Sequence, residues 1–140
     1  MSDRFFLDTN IFVYSFDHSA PVKAGKAAQL IRTALTTQKG FISYQVIQEF
    51  FNVALKRFSQ PMKLADAEQY LGTVFSPLLG VHSSHSLFRE ALQLQARSGF
   101  SWYDSFIVSA AIQARCDILF TEDLQHGQRF GHLRVVNPFL

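Results

Sequence analysis

Phe5-Phe6-Leu7-Asp8-Thr9-Asn10 is a short apolar run that ends abruptly in an acid and two turn-forming residues. Three large apolar side chains in succession suit a strand buried on both faces, the strand type of a parallel sheet. Asp8 then falls just past the strand's carboxyl end, where α/β sheets gather their ligands. The same arrangement returns late in the chain, in Ile118-Leu119-Phe120-Thr121-Glu122-Asp123. Two apolar strands, each closing on an acid, set the frame for everything between them.

In that interval, short apolar stretches alternate with longer ones of helical period, which is the α/β pattern. After an apolar segment over residues 11–16, Ser19 and Pro21 announce a helix. It carries Leu30, Ile31, Ala34 and Leu35 at helical spacing until Gly40 stops it. Residues 41–43 read as a second strand, 44–58 as a helix, and 64–75 as another, broken by Pro77 and Gly80. Val81 seeds a brief strand, and 85–98 is an amphipathic helix ending at Gly99. Ser101 caps a helix to Ala114, 117–120 is a strand, and 133–136 is the last one. Parallel strands joined by helices need right-handed crossovers. The expectation is therefore an α/β chain: a three-layer α/β/α fold with a central, mainly parallel sheet, formed as one domain by residues 1–140.

Composition agrees with that expectation. A chain of 140 residues can bury a sizeable core, and 48% apolar against 17% charged residues excludes disorder. The net charge of +2 permits contact with a polyanion without demanding it. A lone cysteine, Cys116, excludes an internal disulfide and fits a reducing cytosol. No run approaches the roughly 20 apolar residues of a membrane span. Met1-Ser2-Asp3-Arg4 leads straight into the first apolar run without a signal-peptide pattern. A soluble, cytoplasmic protein without membrane association is expected. Fifteen phenylalanines suit either a Phe-rich core or a subunit or partner interface.

Four acids stand where acids are normally unwelcome, because an ionised carboxylate near a core is costly unless paired, hydrogen-bonded or bound to a cation. Asp8 has an ordinary alternative role as a turn or helix cap, with Thr9 and Asn10 shaping the turn and bonding the carboxylate. Glu49 shares a helical stripe with Val46 and Val53 and borders a face marked by Gln45, Gln48, Asn52 and Lys56. Asp104 lies three residues after Ser101, which fits a capping box and also suits the helix dipole. Thr121-Glu122-Asp123 could cap a helix; adjacent acids point apart, so Asp123 is expected in a site, oriented by Thr121, with Glu122 second. Convergence explains all four at once. Hard oxygen donors select Mg2+ or Mn2+ over zinc, and Mg2+ keeps waters for a nucleophile and a substrate phosphate.

At these residues the chain resembles the PIN-domain ribonucleases, in particular the VapC-like toxins of toxin–antitoxin pairs. The resemblance rests on Phe6-Leu7-Asp8-Thr9-Asn10-Ile11, Glu49 on an early helix, Ser101-Trp102-Tyr103-Asp104-Ser105, and Leu119-Phe120-Thr121-Glu122-Asp123-Leu124. It implies a Mg2+- or Mn2+-dependent endoribonuclease, a homodimer, inhibited by a cognate antitoxin protein. Asp8, Glu49, Asp104 and Asp123 would then be both metal ligands and catalytic residues, supported by Asn10, Thr121 and Glu122. One carboxylate, with Asp104 the candidate, would orient or deprotonate the attacking water. RNA phosphates need cations, and Lys56-Arg57, two turns beyond Glu49, is the first pair to consider. A dehalogenase-type phosphatase would need a second acid where Asn10 stands, and a phospho-receiver domain a late lysine, whereas the last one is Lys63. The remaining alternative is a catalytically silent PIN-like module that binds nucleic acid or regulates.

Overall fold

The computed structural model describes residues 3–140; Met1 and Ser2, which open the segment read for a signal pattern, lie outside the described residues. In chain order the elements are β1 (Phe5–Leu7), α1 (Thr9–Tyr14), α2 (Pro21–Thr37), β2 (Gly40–Ser43), α3 (Tyr44–Ala54) and α4 (Leu64–Tyr70). A π-helical turn (Leu71–Phe75), α5 (Ser76–Leu78), β3 (Leu79–Val81), α6 (His85–Ser98) and α7 (Trp102–Gln113) follow. The chain closes with β4 (Ile118–Phe120), β5 (Arg129–Phe130) and β6 (Leu133–Val136).

These strands form one sheet in the order β3-β2-β1-β4-β6-β5, parallel except for β5. β1 is central and all three of its residues are buried, as its unbroken apolar run requires. It pairs with β2 on one side and β4 on the other, Leu7 standing opposite Phe120. From β1 the chain moves outward through β2 to β3, then returns past β1 to β4. Right-handed crossovers in opposite directions put α1–α3 on one face and the packed pair α6–α7 on the other. The result is the expected three-layer α/β/α fold with a mainly parallel sheet. The reversal between β1 and β4 is the topological switch point, and Asp8 and Thr121 lie at its carboxyl edge.

Several local expectations are corrected. Gly40 does not stop α2: Gln38 caps it in the left-handed region at φ 60°, and Gly40 opens β2. A Cβ on Gly40 would run into Ala34 and come within 2.8 Å of the Phe5 ring, so glycine is there for close approach. α3 ends at Ala54 rather than near residue 58, because the chain doubles back and the Met62 amide donates to the Ala54 carbonyl at 2.9 Å. Phe58 thereby folds onto Phe16 and Phe50, at 5.7 and 6.1 Å. Residues 64–75 are a helix followed by a π turn, and Pro77 sits in the first turn of α5 instead of breaking a helix. The π turn brings Phe75 against Phe12, Phe50, Phe51 and Tyr70 with centroid separations of 5.0–5.6 Å. Many of the phenylalanines therefore serve a core centred on Phe50. β5 has no counterpart in the sequence reading, since two residues carry no periodicity. Among the described residues, no helix is long and apolar enough to cross a membrane.

Candidate active site

Asp8 is 7% exposed and both of its oxygens are engaged. Oδ1 accepts from the Thr9 amide at 2.7 Å, which makes Asp8 the N-cap of α1. Oδ2 accepts from the Thr121 hydroxyl at 2.8 Å, across the β1–β4 seam. The capping role and a site role thus coincide in one carboxylate. Thr121 Oγ1 in turn accepts from Asn10 Nδ2 at 3.3 Å and from the Asp123 amide at 3.1 Å. Asn10 Nδ2 also donates to Asp123 Oδ2 at 3.1 Å, so the turn after β1 and the loop after β4 are sewn together. No helix follows Asp123, so capping does not account for it.

Glu49 joins from α3: its Oε1 accepts from the Thr9 hydroxyl at 3.2 Å. Gln45, one turn earlier, is buried at 4% exposure, not on the solvent face that its polarity suggests. Its amide makes no well-formed hydrogen bond but lies near enough to Glu49 to favour the ionised carboxylate. Asp104 sits in the first turn of α7, where its amide donates to Ser101 Oγ at 3.1 Å. Only that half of the capping box forms, which leaves the Asp104 carboxylate without a hydrogen bond among the described residues. Its charge is felt by both Glu49 and Asp123. The structure therefore brings the four acids into one electrostatic neighbourhood at the carboxyl edge of the switch point.

That neighbourhood is unfavourable for bare carboxylates. Burial pushes Asp8 up to about 7, against the bonds from Thr121 and Thr9, and the charges of Asp123 and Glu49 push the same way. Burial also raises Glu49, opposed by Thr9 and Gln45 and reinforced by Asp123 and Asp104. Asp123 is raised by burial, with Asn10 opposing and Asp104 and Glu122 reinforcing. Among the described residues, no lysine or arginine pairs with Asp8, Glu49, Asp104 or Asp123. Asp8 is buried, Glu49 and Asp104 are partly so and Asp123 is exposed; like charges gathered in this way without a counter-ion are an arrangement that a bound cation relieves.

The PIN domain family profile matches residues 5–129. The chain belongs to the PIN-domain family. No curated protein sequence matches it significantly. Solved structures do match this PIN domain over most of its length. A toxin–antitoxin complex from Klebsiella pneumoniae is 19% identical with a TM-score of 0.65, covering 95% of this chain and 96% of that one. VapC20 from Mycobacterium tuberculosis, described as a sarcin-ricin loop cleaving toxin, is 19% identical with a TM-score of 0.60, covering 85% and 91%. VapBC2 from Rickettsia felis, bound to a promoter DNA fragment, is 18% identical with a TM-score of 0.61, covering 94% and 96%. At these identities the likeness is one of fold.

A divalent cation suits the donors of this PIN domain in kind: all-oxygen, hard, anionic, and short of positive partners. Asn10 turns its Nδ2 to Thr121 and Asp123, and its buried Oδ1 has no hydrogen-bond partner among the described residues. Spacing restricts the arrangement. Among the described residues, no three acidic, histidine or cysteine side chains lie close enough to ligate one ion together. The residues would therefore suit a divalent cation only if some of the carboxylates acted on it through water. The remaining sequence candidates lie differently. Glu122 turns away from the acids and accepts from the Tyr14 hydroxyl at 2.5 Å and from Lys23 Nζ at 3.4 Å. Lys56 and Arg57 lie exposed beyond the end of α3, and their side chains bond to no acid among the described residues. Sequence reasoning missed Gln45 and Tyr14, and held Lys23 only as one of several cations available for phosphate. Gln45, at i−4 from Glu49, was the one that helical spacing could have found.

Proposed function

We propose that this PIN domain, spanning residues 1–140, is a Mg2+- or Mn2+-dependent endoribonuclease and the toxin of a toxin–antitoxin pair. The observation that carries the reading is the network joining Asp8, Thr121, Asn10, Asp123, Thr9 and Glu49 at the switch point without a protein counter-charge. Family membership and the toxin–antitoxin structures of the same fold add support. RNA as substrate is supported by the sarcin-ricin loop cleavage named for the Mycobacterium tuberculosis relative. An antitoxin partner, a homodimer and a cytoplasmic location complete the proposal.

Asp8, Glu49, Asp104 and Asp123 would hold the ion, which when bound supplies Lewis-acid polarisation of a phosphate and a more acidic water. The chain's own residues prepare that site. Thr121 points its proton at Asp8 and so keeps that carboxylate turned into the site. Asn10 does the same for Asp123, and Thr9 for Glu49. Asp104, whose carboxylate no hydrogen bond ties down among the described residues, would be the acid to take a proton from the attacking water.

The test is hydrolysis of labelled single-stranded RNA by the purified protein, with Mg2+, with Mn2+, and with chelator. Cleavage is expected only with metal, and Asp8→Asn should lower it at least about a hundredfold. An unimpaired Asp8→Asn enzyme would overturn the assignment. Metal-dependent binding of RNA or DNA with no cleavage by the wild type would favour the silent module instead.

A further inference from the structure

Glu122 stands between Thr121 and Asp123 yet takes no part in their network. Its Oε1 accepts from the Tyr14 hydroxyl and its Oε2 from Lys23 Nζ. Lys23, in the first turn of α2, also donates to the Tyr14 oxygen at 3.3 Å and lies 4.6 Å from the Tyr14 ring centroid. Phe139 completes the platform: its ring meets Tyr14 edge-on at 4.9 Å, and Lys23 Nζ stands 5.5 Å from its centroid. The tyrosine bond, then Glu122, push the lysine up and keep it charged. Three elements far apart in sequence thus fix one ammonium group beside the loop that bears Asp123, with the Lys23 side chain still 41% exposed.

Two other cations with partners are placed elsewhere. Arg4 donates to the Ala114 carbonyl and Lys39 pairs with Asp3, both at the amino end of β1, the edge opposite the acids. Among the described residues, Lys23 is the cation that an ion pair ties to the acid-bearing edge. A flexible lysine left free beside the acids would fold into them and occupy the place of the metal. Glu122 and Tyr14 oppose that, because they hold the amine in bonds of 3.4 and 3.3 Å of their own. Two of its three donors are engaged, and the third is open to an acceptor from solution.

We propose that Lys23 is a substrate-binding residue that holds a backbone phosphate of the RNA flanking the scissile one. This rests on the nuclease reading above. The Tyr14–Phe139 pair supplies an apolar floor beneath the amine, the combination of cation and aromatic that single strands use. Glu122 and Tyr14 set the direction of the ammonium and do not themselves meet the substrate.

The experiment measures binding and turnover separately. Binding of a short fluorescent single-stranded RNA is followed at several salt concentrations in the Asp8→Asn background, and steady-state cleavage in the otherwise wild-type background. Lys23→Gln should weaken binding about five- to tenfold and reduce the slope of log affinity against log salt by about 0.7. It should raise KM by a similar factor with kcat retained, since the contact forms equally in ground and transition states. Lys23→Arg should restore most of both. A Lys56→Gln/Arg57→Gln double variant is the comparison. A slope change in that pair and none in Lys23→Gln overturns the proposal, as does a Lys23→Gln loss confined to kcat. Failure of the wild type to cleave any RNA would refute the nuclease reading, while the binding slopes would still decide for or against Lys23. Absence of RNA binding by every form overturns the Lys23 assignment too.

Discussion

Replacing Asp8 by asparagine should invert the stability order of the two proteins as pH changes. Burial raises this carboxyl from 3.8 to about 7. The folded state thus holds the proton more tightly than the unfolded chain does. The associated stability is fully present below the unfolded value and disappears as pH rises through the folded one. About three pH units at roughly 1.4 kcal/mol each amount to about 4 kcal/mol lost by the metal-free wild type between pH 4 and pH 8. The asparagine side chain cannot ionise, so the variant loses none of it. The variant does lose something at every pH, because an amide nitrogen replaces one of the two oxygens that accept from Thr9 and Thr121. That mismatch costs about 1–2 kcal/mol. Asp8→Asn should therefore be less stable than wild type at pH 4 and more stable at pH 8 by about 2–3 kcal/mol. At roughly 3 °C per kcal/mol for a chain of this size, the pH 8 difference is about 6–9 °C in Tm. Thermal melts in chelator across this range provide the assay, and the contributions of Glu49 and Asp123 largely cancel between the two proteins. Curves that never cross, with Asp8→Asn weaker throughout, would refute the claim that the ionised Asp8 is an unrelieved burden. Mg2+ at a hundred times its Kd should then add about 2.7 kcal/mol to the wild type, and markedly less to the variant.

Thr121→Val keeps the shape of the side chain and removes the hydroxyl that serves Asp8, Asn10 and the Asp123 amide. It should destabilise by about 2 kcal/mol at pH 8 and by less at pH 5, where Asp8 is mostly protonated; equal losses at both pH values in chelator would argue against an ionised acceptor. Gly40→Ala places a methyl group against Ala34 and the Phe5 ring, so urea unfolding should report a loss of about 1–3 kcal/mol, and an unchanged midpoint would contradict the close approach.

The architecture was readable because parallel sheets impose strong local signals. Phe5–Leu7 and Ile118–Phe120 are apolar without alternation, and only a strand covered on both faces, or a short buried helix, reads that way. Asp8 stood out for a related reason: a carboxylate at the end of such a run has little solvent and few partners to explain it. Features that depend on distant approach were not readable. Gly40 looked like a helix stop because its reason for being glycine lies in Phe5 and Ala34. Gln45 looked like surface because helical periodicity cannot say which polar residue a second layer covers. The π turn at Leu71–Phe75 follows from a tertiary demand to seat Phe75 among the rings around Phe50. Lys23 is ordinary in its own segment, and its partner Glu122 is 99 residues away.

The seam between β1 and β4 has a consequence for the birth of the protein. Asp8 and Thr121 are separated by 113 residues, and Asn10 and Asp123 by as many. A growing chain makes Asp8 and Thr9 more than a hundred residues before Thr121, the other partner that orients the Asp8 carboxylate. A copy that stops before Thr121 consequently lacks an assembled acidic edge, however well its earlier helices have formed. Under the proposed nuclease reading, the site cannot assemble until Asp123 has been made, and a premature stop before it should yield an inactive product.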